Sequence, residues 1–363
     1  MNKQFLIDIF LPPFFEKKEF DIKRLNKLTN KNFIYASKGR YAFYHALKAL
    51  ALKDKILVPV YICRSVLESL EILKITPIFY DLDKEDLNAS IDSIRFLAEK
   101  YSVKALLVAS MYGNPANLVE IERYCKQNNI LLIDDAAQSF GAKLDERMLG
   151  TFGDAGFFSF SPGKPTAGHM GAFFWTNNPQ YRFKKTTHNF LHFLTYLDFY
   201  FNRFKIYQYR KYKIFNFFSL LKRIYEKYID ITFDKMENFE EEILGGVLEA
   251  AIGSKFDFRQ KYVQEFKDRF RGNSYFRVIR SIRGEARPHK FVIMAKGENL
   301  AKDLMVYLKD NKIYCSNGYQ LLTNDLRYLP NAEKINKRII EIPIENNRGK
   351  MDYLFEILQK FRA

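Results

Sequence analysis

The sequence predicts an α/β protein in which a mostly parallel sheet, covered by helices on both faces, is followed by a smaller α+β domain. Three observations predict it. Short runs that are apolar throughout, such as Ile56-Leu57-Val58 and Ala105-Leu106-Leu107-Val108-Ala109, have the character of strands buried on both faces. Segments with apolar residues at helical spacing separate these runs, as a βαβ alternation requires. Beyond about residue 255 the rhythm changes, so the division falls between a large domain at 1–255 and a small one at 256–363.

In order, the residues up to about 30 form an arm carrying Pro12-Pro13-Phe14-Phe15. Phe33-Ile34-Tyr35-Ala36 leads into Ser37-Lys38-Gly39-Arg40, after which Ala42, Phe43, Ala46, Leu47, Ala49 and Leu50 recur at helical spacing. A turn with one glycine therefore opens a helix, and the free N–H groups at its positive end make 37–41 a candidate phosphate cradle. Ordinary capping explains the same pattern, so the signal is weak alone. A strand at 56–60, a helix through Val66, Leu70 and Leu73, and a strand at 77–81 follow. Then come a helix at 91–100, a strand at 105–109, a helix at 118–128 and a strand ending at Asp135. The small domain reads as a charged helix through Arg271, a strand at 291–294, a helix at 300–308, strands at 312–315 and 339–344, and a closing helix through Phe361.

Ligands of such sheets sit beyond the carboxyl ends of the strands, and two of these ends carry chemistry. Ile130-Leu131-Leu132-Ile133-Asp134-Asp135 ends in a carboxylate. Asp134 is its rival by adjacency, but strand alternation turns it to the other face. Phe158-Ser159-Phe160-Ser161-Pro162-Gly163-Lys164 ends in a hydroxyl, a Pro-Gly turn and one amine. Acid, hydroxyl and amine together suit pyridoxal phosphate, which needs a lysine for its aldehyde, a carboxylate for its ring nitrogen and donors for its phosphate. A strand-end Asp often caps a helix and a lone Lys is usually solvated, but three partners in this order make coincidence a poor account.

The spacing of Asp135-Ala136-Ala137-Gln138, Gly150-Thr151-Phe152-Gly153-Asp154 and Ser159-Phe160-Ser161-Pro162-Gly163-Lys164 resembles the DegT/DnrJ/EryC1/StrS family of pyridoxal-phosphate sugar aminotransferases. Val58-Pro59-Val60-Tyr61, Phe79-Tyr80-Asp81-Leu82-Asp83 and Met111-Tyr112-Gly113-Asn114-Pro115-Ala116-Asn117 extend the resemblance, which is strong over 36–176 and weak after 245. It implies a fold-type-I transferase, a homodimer, and amino transfer from L-glutamate to a keto-sugar, generally nucleotide-linked, in glycan or surface-polysaccharide synthesis. It further implies that Lys164 bonds covalently to the cofactor aldehyde, Asp135 faces the ring nitrogen, Gln138 lies near the phenolic oxygen and Ser159 holds the phosphate with Ser37, Gly39 and Arg40. Family members that eliminate water carry histidine where this chain keeps Lys164.

The chain departs from the family in four places. Gly39-Arg40 stands where relatives have Gly-Thr, so Arg40 either forks onto phosphate or points away while the backbone alone contributes. Cys63 occupies the position of the stacking aromatic, leaving Tyr61 either as its substitute or as a core tyrosine. The turn Pro165-Thr166-Ala167-Gly168-His169-Met170-Gly171-Ala172 is one residue short, with His169 read as structural. The Gly-x-Asn-x-Arg segment of relatives is missing from 181–234, which is instead a basic aromatic insert.

That insert interleaves Arg203, Lys205, Arg210, Lys211 and Lys213 with Tyr207, Tyr209, Tyr212, Phe215, Phe217 and Phe218. A helical insert packed on a neighbouring subunit and a helix lying among lipid headgroups account for it equally; apolar clusters beside a basic flank favour membrane over nucleic acid, with 190–225 as the contact. The net charge of +16 and pI near 9.4 draw polyanions of any kind and do not choose among them. Cys63, Cys125 and Cys315 have no paired spacing for a metal or a disulfide framework, so no metal is expected and a cytoplasmic setting, if anywhere special at the inner face of the membrane, fits best. The amino-terminal run broken by Asp8 is a poor signal peptide, and no apolar run is long enough to span a bilayer. Two other readings stand beside the sugar aminotransferase: a pyridoxal-phosphate enzyme acting on an amino-acid or lipid-linked substrate, and a drifted fold serving as a membrane-associated binding module.

Overall fold

The computed structural model describes residues 22–36, 38–161, 164, 171–182 and 258–362. Residues 1–21 of the arm, Ser37, His169 and all of the basic aromatic insert beyond Tyr181 and Arg182 lie outside them; the last part of the arm is described and is helical at Ile22–Thr29. In the first part the elements are α1 (Ile22–Thr29), β1 (Ile34–Ala36), α2 (Gly39–Ala49), β2 (Lys55–Pro59), α3 (Ser65–Ile72), β3 (Thr76–Tyr80), α4 (Ile91–Tyr101), β4 (Ala105–Ala109), α5 (Leu118–Gln127), β5 (Leu131–Asp135), the short pair β6 (Lys143–Leu144) and β7 (Arg147–Met148), β8 (Ala155–Ser159) and β9 (Ala172–Thr176). Seven strands form one sheet in the order β1-β9-β8-β5-β4-β2-β3. β3, β2, β4, β5 and β8 run parallel, and β9 pairs antiparallel with both β8 and β1.

The central strands are the ones the sequence marks most clearly. β4 is buried along its whole length and β5 along all but its first residue, because helices cover both faces and leave no side of the pleat in water. β1 and β9 were not expected as strands. A three-residue edge and an aromatic run after a loop give no alternation to detect; only pairing with β8 makes them strands.

The second part contains α6 (Phe258–Arg269), β10 (Phe276–Val278), β11 (Lys290–Ala295), α7 (Glu298–Asp310), β12 (Ser316–Asn317), α8 (Pro330–Ile335), β13 (Ile339–Pro343) and α9 (Arg348–Lys360). Its antiparallel sheet has the order β10-β11-β13-β12 and its own core around Phe266, Phe291, Leu304 and Phe355. The strand expected at 312–315 is corrected to Ser316–Asn317. Ile313 and Cys315 are apolar because they pack into that core, while ladder pairing with β13 begins only at Ser316↔Glu341. The two parts meet through α8, whose first amides, Asn331 N and Ala332 N, donate to the two carboxylate oxygens of Asp81 at 2.8 Å each.

The Gly-Thr-Phe-Gly-Asp motif is scaffolding. Asp134, on the face of β5 away from Asp135, accepts from Gly150 N at 2.6 Å and Phe152 N at 3.2 Å. Asp154 accepts from Leu132 N at 2.9 Å and Asn177 Nδ2 at 2.8 Å, and Trp175 Nε1 donates to Gly150 O at 2.6 Å. Gly150 has φ +86°, and a Cβ there would lie 2.4 Å from the ring of Phe158, so only glycine serves. The motif thus ties β5, β8 and β9 into one rigid edge and fixes where Asp135 and Ser159 end.

Candidate active site

A cavity of about 580 Å³ opens beyond the carboxyl ends of β5 and β8, where the first turn of α2 meets them. Gly39, Arg40, Asp135, Gln138, Ser159 and Lys164 all line it. Ser37, the remaining residue singled out from the sequence, lies outside the described residues. Burying several polar groups around one cavity is costly unless a ligand or water answers them, and the volume is that of a small-molecule site.

Each side chain is placed by its element. Asp135 is the last residue of β5 and is buried, with Oδ1 accepting from Ala137 N at 2.8 Å. Burial pushes its carboxyl up to about 6, against the pull of the Ala137 amide and the Lys164 ammonium. Lys164 lies on the connection after β8, its backbone N donating to Ser161 O at 3.2 Å. Burial lowers its pKa, opposed by the carboxylate of Asp135, while the nearby charge of Lys290 works in the same direction as burial. Acid and amine therefore each hold the other closer to its charged form than the cavity alone would allow.

Ser159 closes β8, and its Oγ lies 3.3 Å from Ser161 Oγ. Gly39 opens α2 directly against it: a Cβ on Gly39 would sit 2.9 Å from both Cβ and Oγ of Ser159. The backbone of α2 can approach this hydroxyl so closely only without a side chain, which leaves its terminal N–H groups at the cavity. The guanidinium of Arg40 pairs with Glu68 on α3, and its carbonyl accepts from Ser69 Oγ at 2.9 Å. Gln138 accepts at Oε1 from Tyr112 N at 3.2 Å, and that bond helps hold Tyr112 at φ +57°, a left-handed conformation an aromatic residue rarely adopts.

Tyr61 is a core tyrosine. It is 2% exposed, its hydroxyl lies 2.7 Å from that of Tyr112 and accepts from Tyr319 N at 3.0 Å, and it does not line the cavity. Its hydroxyl explains Gly318, where a Cβ would lie 1.9 Å from it. Cys63 does line the cavity, with Sγ 3.1 Å from Ser65 Oγ.

The sequence reading missed three lining residues from the second part: His289, Lys290 and Tyr319. Lys290 opens β11 and bonds Glu341 of β13 across the sheet. No spacing signal marks these residues, because they meet the cavity only through packing of the second sheet on the first. The one clue available was a lysine heading an otherwise apolar strand.

The donor set suits pyridoxal phosphate: an amine, a strand-end carboxylate, a hydroxyl and bare helix-terminal amides converge on one volume, and the close approach of Gly39 to Ser159 leaves room that a Cβ would fill. No group of three or more metal-ligating side chains occurs among the described residues. No helix among them is long and apolar enough to cross a membrane.

Comparison with known proteins bears on the same region. The sequence profile described as the DegT/DnrJ/EryC1/StrS aminotransferase family matches residues 15–200. GDP-perosamine synthase of Escherichia coli O157:H7 is 31% identical over 159 residues, which are 42% of this chain and 43% of that protein. UDP-N-acetyl-3-dehydro-alpha-D-glucosamine 3-aminotransferase of Acidithiobacillus ferrooxidans is 32% identical over 128 residues, 35% of this chain and 34% of that protein. The chain spans less than half the length of these curated relatives. Among solved structures, a DegT DnrJ EryC1 StrS aminotransferase from Brucella abortus superposes with a TM-score of 0.71 at 17% identity, covering 94% of this chain and 89% of that one. The E. coli GDP-4-keto-6-deoxy-D-mannose-3-dehydratase with bound hydrated PLP gives 0.68 at 22% identity, covering 93% and 90%. At these identities the likeness is one of fold.

Proposed function

Because the chain belongs to the DegT/DnrJ/EryC1/StrS aminotransferase family, we propose that it is a pyridoxal-phosphate-dependent aminotransferase that moves an amino group from L-glutamate to a keto-sugar carried on a nucleotide. The observation that carries this reading is the meeting of Asp135, Ser159 and Lys164 around one cavity at the strand ends. Relatives named as synthases and aminotransferases of nucleotide-linked sugars point to the substrate class. Synthesis of a surface polysaccharide is the setting that such sugars serve.

Each residue has a part in the proposal. Pyridoxal phosphate, when bound, supplies an electron sink for the carbon from which the amine is taken. Lys164 would anchor the cofactor and move a proton at its Nζ, and its lowered pKa makes the neutral, basic form easier to reach than for an exposed lysine. Asp135 holds an anion against the ring nitrogen. Ser159 Oγ and the first amides of α2 receive the phosphate, and because Arg40 is committed to Glu68 the backbone does this work. Gln138, which lines the same cavity, would orient the ring's oxygen.

The test is spectroscopic. Purified protein mixed with pyridoxal phosphate is expected to develop the near-visible band of a lysine-bound cofactor, and L-glutamate is expected to bleach it. A keto-sugar nucleotide screened by mass spectrometry should then gain an amine and restore the band. A protein that develops the band yet responds to no amino donor would be a binding module and not an aminotransferase.

A peripheral contact of 190–225 with anionic lipid is part of the same proposal and rests on composition, since that stretch lies outside the described residues. Flotation with anionic liposomes is expected to carry the intact protein and to leave a variant without 190–225 in solution. If neither floats, the insert has another task.

A further inference from the structure

Lys290 is one of three lysines that line the cavity, with Lys38 and Lys164, and no part of the site described so far uses it. Its Nζ lies 2.5 Å from Oε2 of Glu341, whose side chain is 7% exposed. Glu341 has other donors: Tyr112 Oη at 2.7 Å on Oε1 and Ser316 Oγ at 3.4 Å on Oε2. A buried carboxylate needs donors, and this one is partly supplied without the lysine. The pair therefore fixes the lysine as much as it satisfies the acid. An ammonium has three donors; one goes to Glu341, and no second hydrogen bond of Nζ is found among the described residues.

A second observation lies next to it in the chain. His289 is 9% exposed, lines the same cavity, and its Nδ1 has no hydrogen-bond partner among the described residues. Burial, then the charges of Lys290, Arg259 and Lys164, holds its pKa well below the ordinary histidine value, so the ring is neutral and offers a nitrogen without adding charge. A half-buried cation with spare donors and a buried imidazole nitrogen without a partner, on adjacent residues that line one cavity, form half of a recognition site for a small anion.

We propose that Lys290, with His289 beside it, receives the α-carboxylate of the amino donor and so selects α-amino acids as donors. This rests on the aminotransferase reading. The choice among anions follows from distance along the substrate. An α-carboxylate is separated by one carbon from the amine that must displace Lys164, so the cation that holds it has to share Lys164's cavity closely enough for the two charges to feel each other. Lys290 meets that condition: it lines the same cavity as Lys164, and its charge disfavours the protonated form of that amine. Of the other lining cations, Arg40 is taken by Glu68, and the Nζ of Lys38 lies over the ring of Tyr41, 5.6 Å from its centroid. A sugar diphosphate has its charge far from the carbon that is aminated and belongs further out.

The test uses the paired variant Lys290→Met with Glu341→Gln, which removes both charges and leaves no buried acid uncompensated. Full protein loaded with pyridoxal phosphate is compared with wild type for bleaching of the cofactor band by L-glutamate and by 4-aminobutyrate, which is glutamate without its α-carboxylate. The wild type should favour glutamate, and the variant should keep the band but lose that preference ten-fold or more, through KM for glutamate rather than through bleaching at saturation. Calorimetric binding of 2-oxoglutarate to the loaded protein should weaken by a similar factor, and Lys290→Arg should recover part of both. An unchanged preference with the band intact overturns the proposal, as does weaker binding of the sugar nucleotide alone, which would assign Lys290 to the diphosphate. Failure of the wild type itself to bleach with any donor strikes the aminotransferase reading, and Lys290's part falls with it.

Discussion

Replacing Lys164 with alanine is expected to abolish turnover and, in the same sample, the near-visible band that pyridoxal phosphate gives with the wild type. Two losses coincide. The amine is the only one of the sequence-predicted site residues able to bond an aldehyde, and it is also the group placed to move a proton at the reacting carbon. Loss of a positioned general base alone costs about 10²–10⁴-fold, and loss of the covalent anchor adds to it. Lys164→Arg separates the parts. It keeps a cation beside Asp135 but offers no nucleophilic amine at neutral pH, so its band should also vanish while the electrostatics around Asp135 survive. Measurable turnover by Lys164→Ala, with its band intact, would place the essential amine elsewhere, and Lys290 would be the next to examine.

What the sequence made legible was the part of the fold written in single elements. β4 and β5 are recognisable because a strand buried on both faces is apolar at nearly every position, and Asp135 stands out as the charge that ends such a run. The lysine after β8 is legible for a related reason: Pro162-Gly163 breaks the strand, and the next residue carries an amine with no helical face to join. Gly39 was visible as a helix start and a candidate phosphate cradle, but not as a contact of Ser159. Its contact with Ser159 depends on how closely α2 rests on β8, and packing distance leaves no mark on the chain. Lys290, His289 and Tyr319 were illegible because they reach the cavity from a second sheet, across contacts such as Tyr61 with Tyr319 and Tyr112 with Glu341 that link residues far apart in sequence. The Tyr61 reading turned on the same point. Its hydroxyl is spent on a buried network between the two sheets, so the residue that shares a motif with Pro59 supports the cavity wall without touching its contents.

The division of labour at the end of β5 shows how one dipeptide serves two ends. Asp134 is buried and turned toward Gly150 and Phe152, so its charge is spent on backbone amides that hold the edge of the sheet. Burial nevertheless pushes its carboxyl up to about 7. Asp135 has one backbone donor and the rest of its charge facing the cavity. Both donors of the scaffold acid fall on Oδ2, and its Oδ1 is buried without a partner among the described residues, sealed from any ligand, whereas the remaining charge of Asp135 faces a cavity that a ligand can enter.

Asp135→Asn is expected to move activity and stability in opposite directions. The side chain keeps its shape, and its oxygen still accepts from Ala137 N, so the local turn survives. It can no longer present an anion to a protonated ring nitrogen. At an effective dielectric near 20, an ion pair about 4 Å apart is worth about 4 kcal/mol, which corresponds to roughly a thousand-fold in turnover. Stability of the cofactor-free protein answers to a different term. The folded carboxyl titrates near 6, raised first by burial, whereas an unfolded aspartate titrates near ~3.9. The folded state therefore binds more protons over that interval. Its contribution is fully present below the unfolded value and is lost as pH rises through the folded one, about 3 kcal/mol by neutral pH. Asparagine has no proton to lose, so the variant without cofactor should be more stable than the wild type at pH 7 and no more stable at pH 4, with Asp134, Lys164 and His289 among the groups supplying the slope that remains. Thermal denaturation of both cofactor-free proteins across pH 4–8, alongside single-turnover bleaching by L-glutamate, checks the two halves together. A variant that loses both activity and stability at pH 7 would mean that Asp135 is a structural acid like its neighbour, held charged by the fold and not by what the cavity receives.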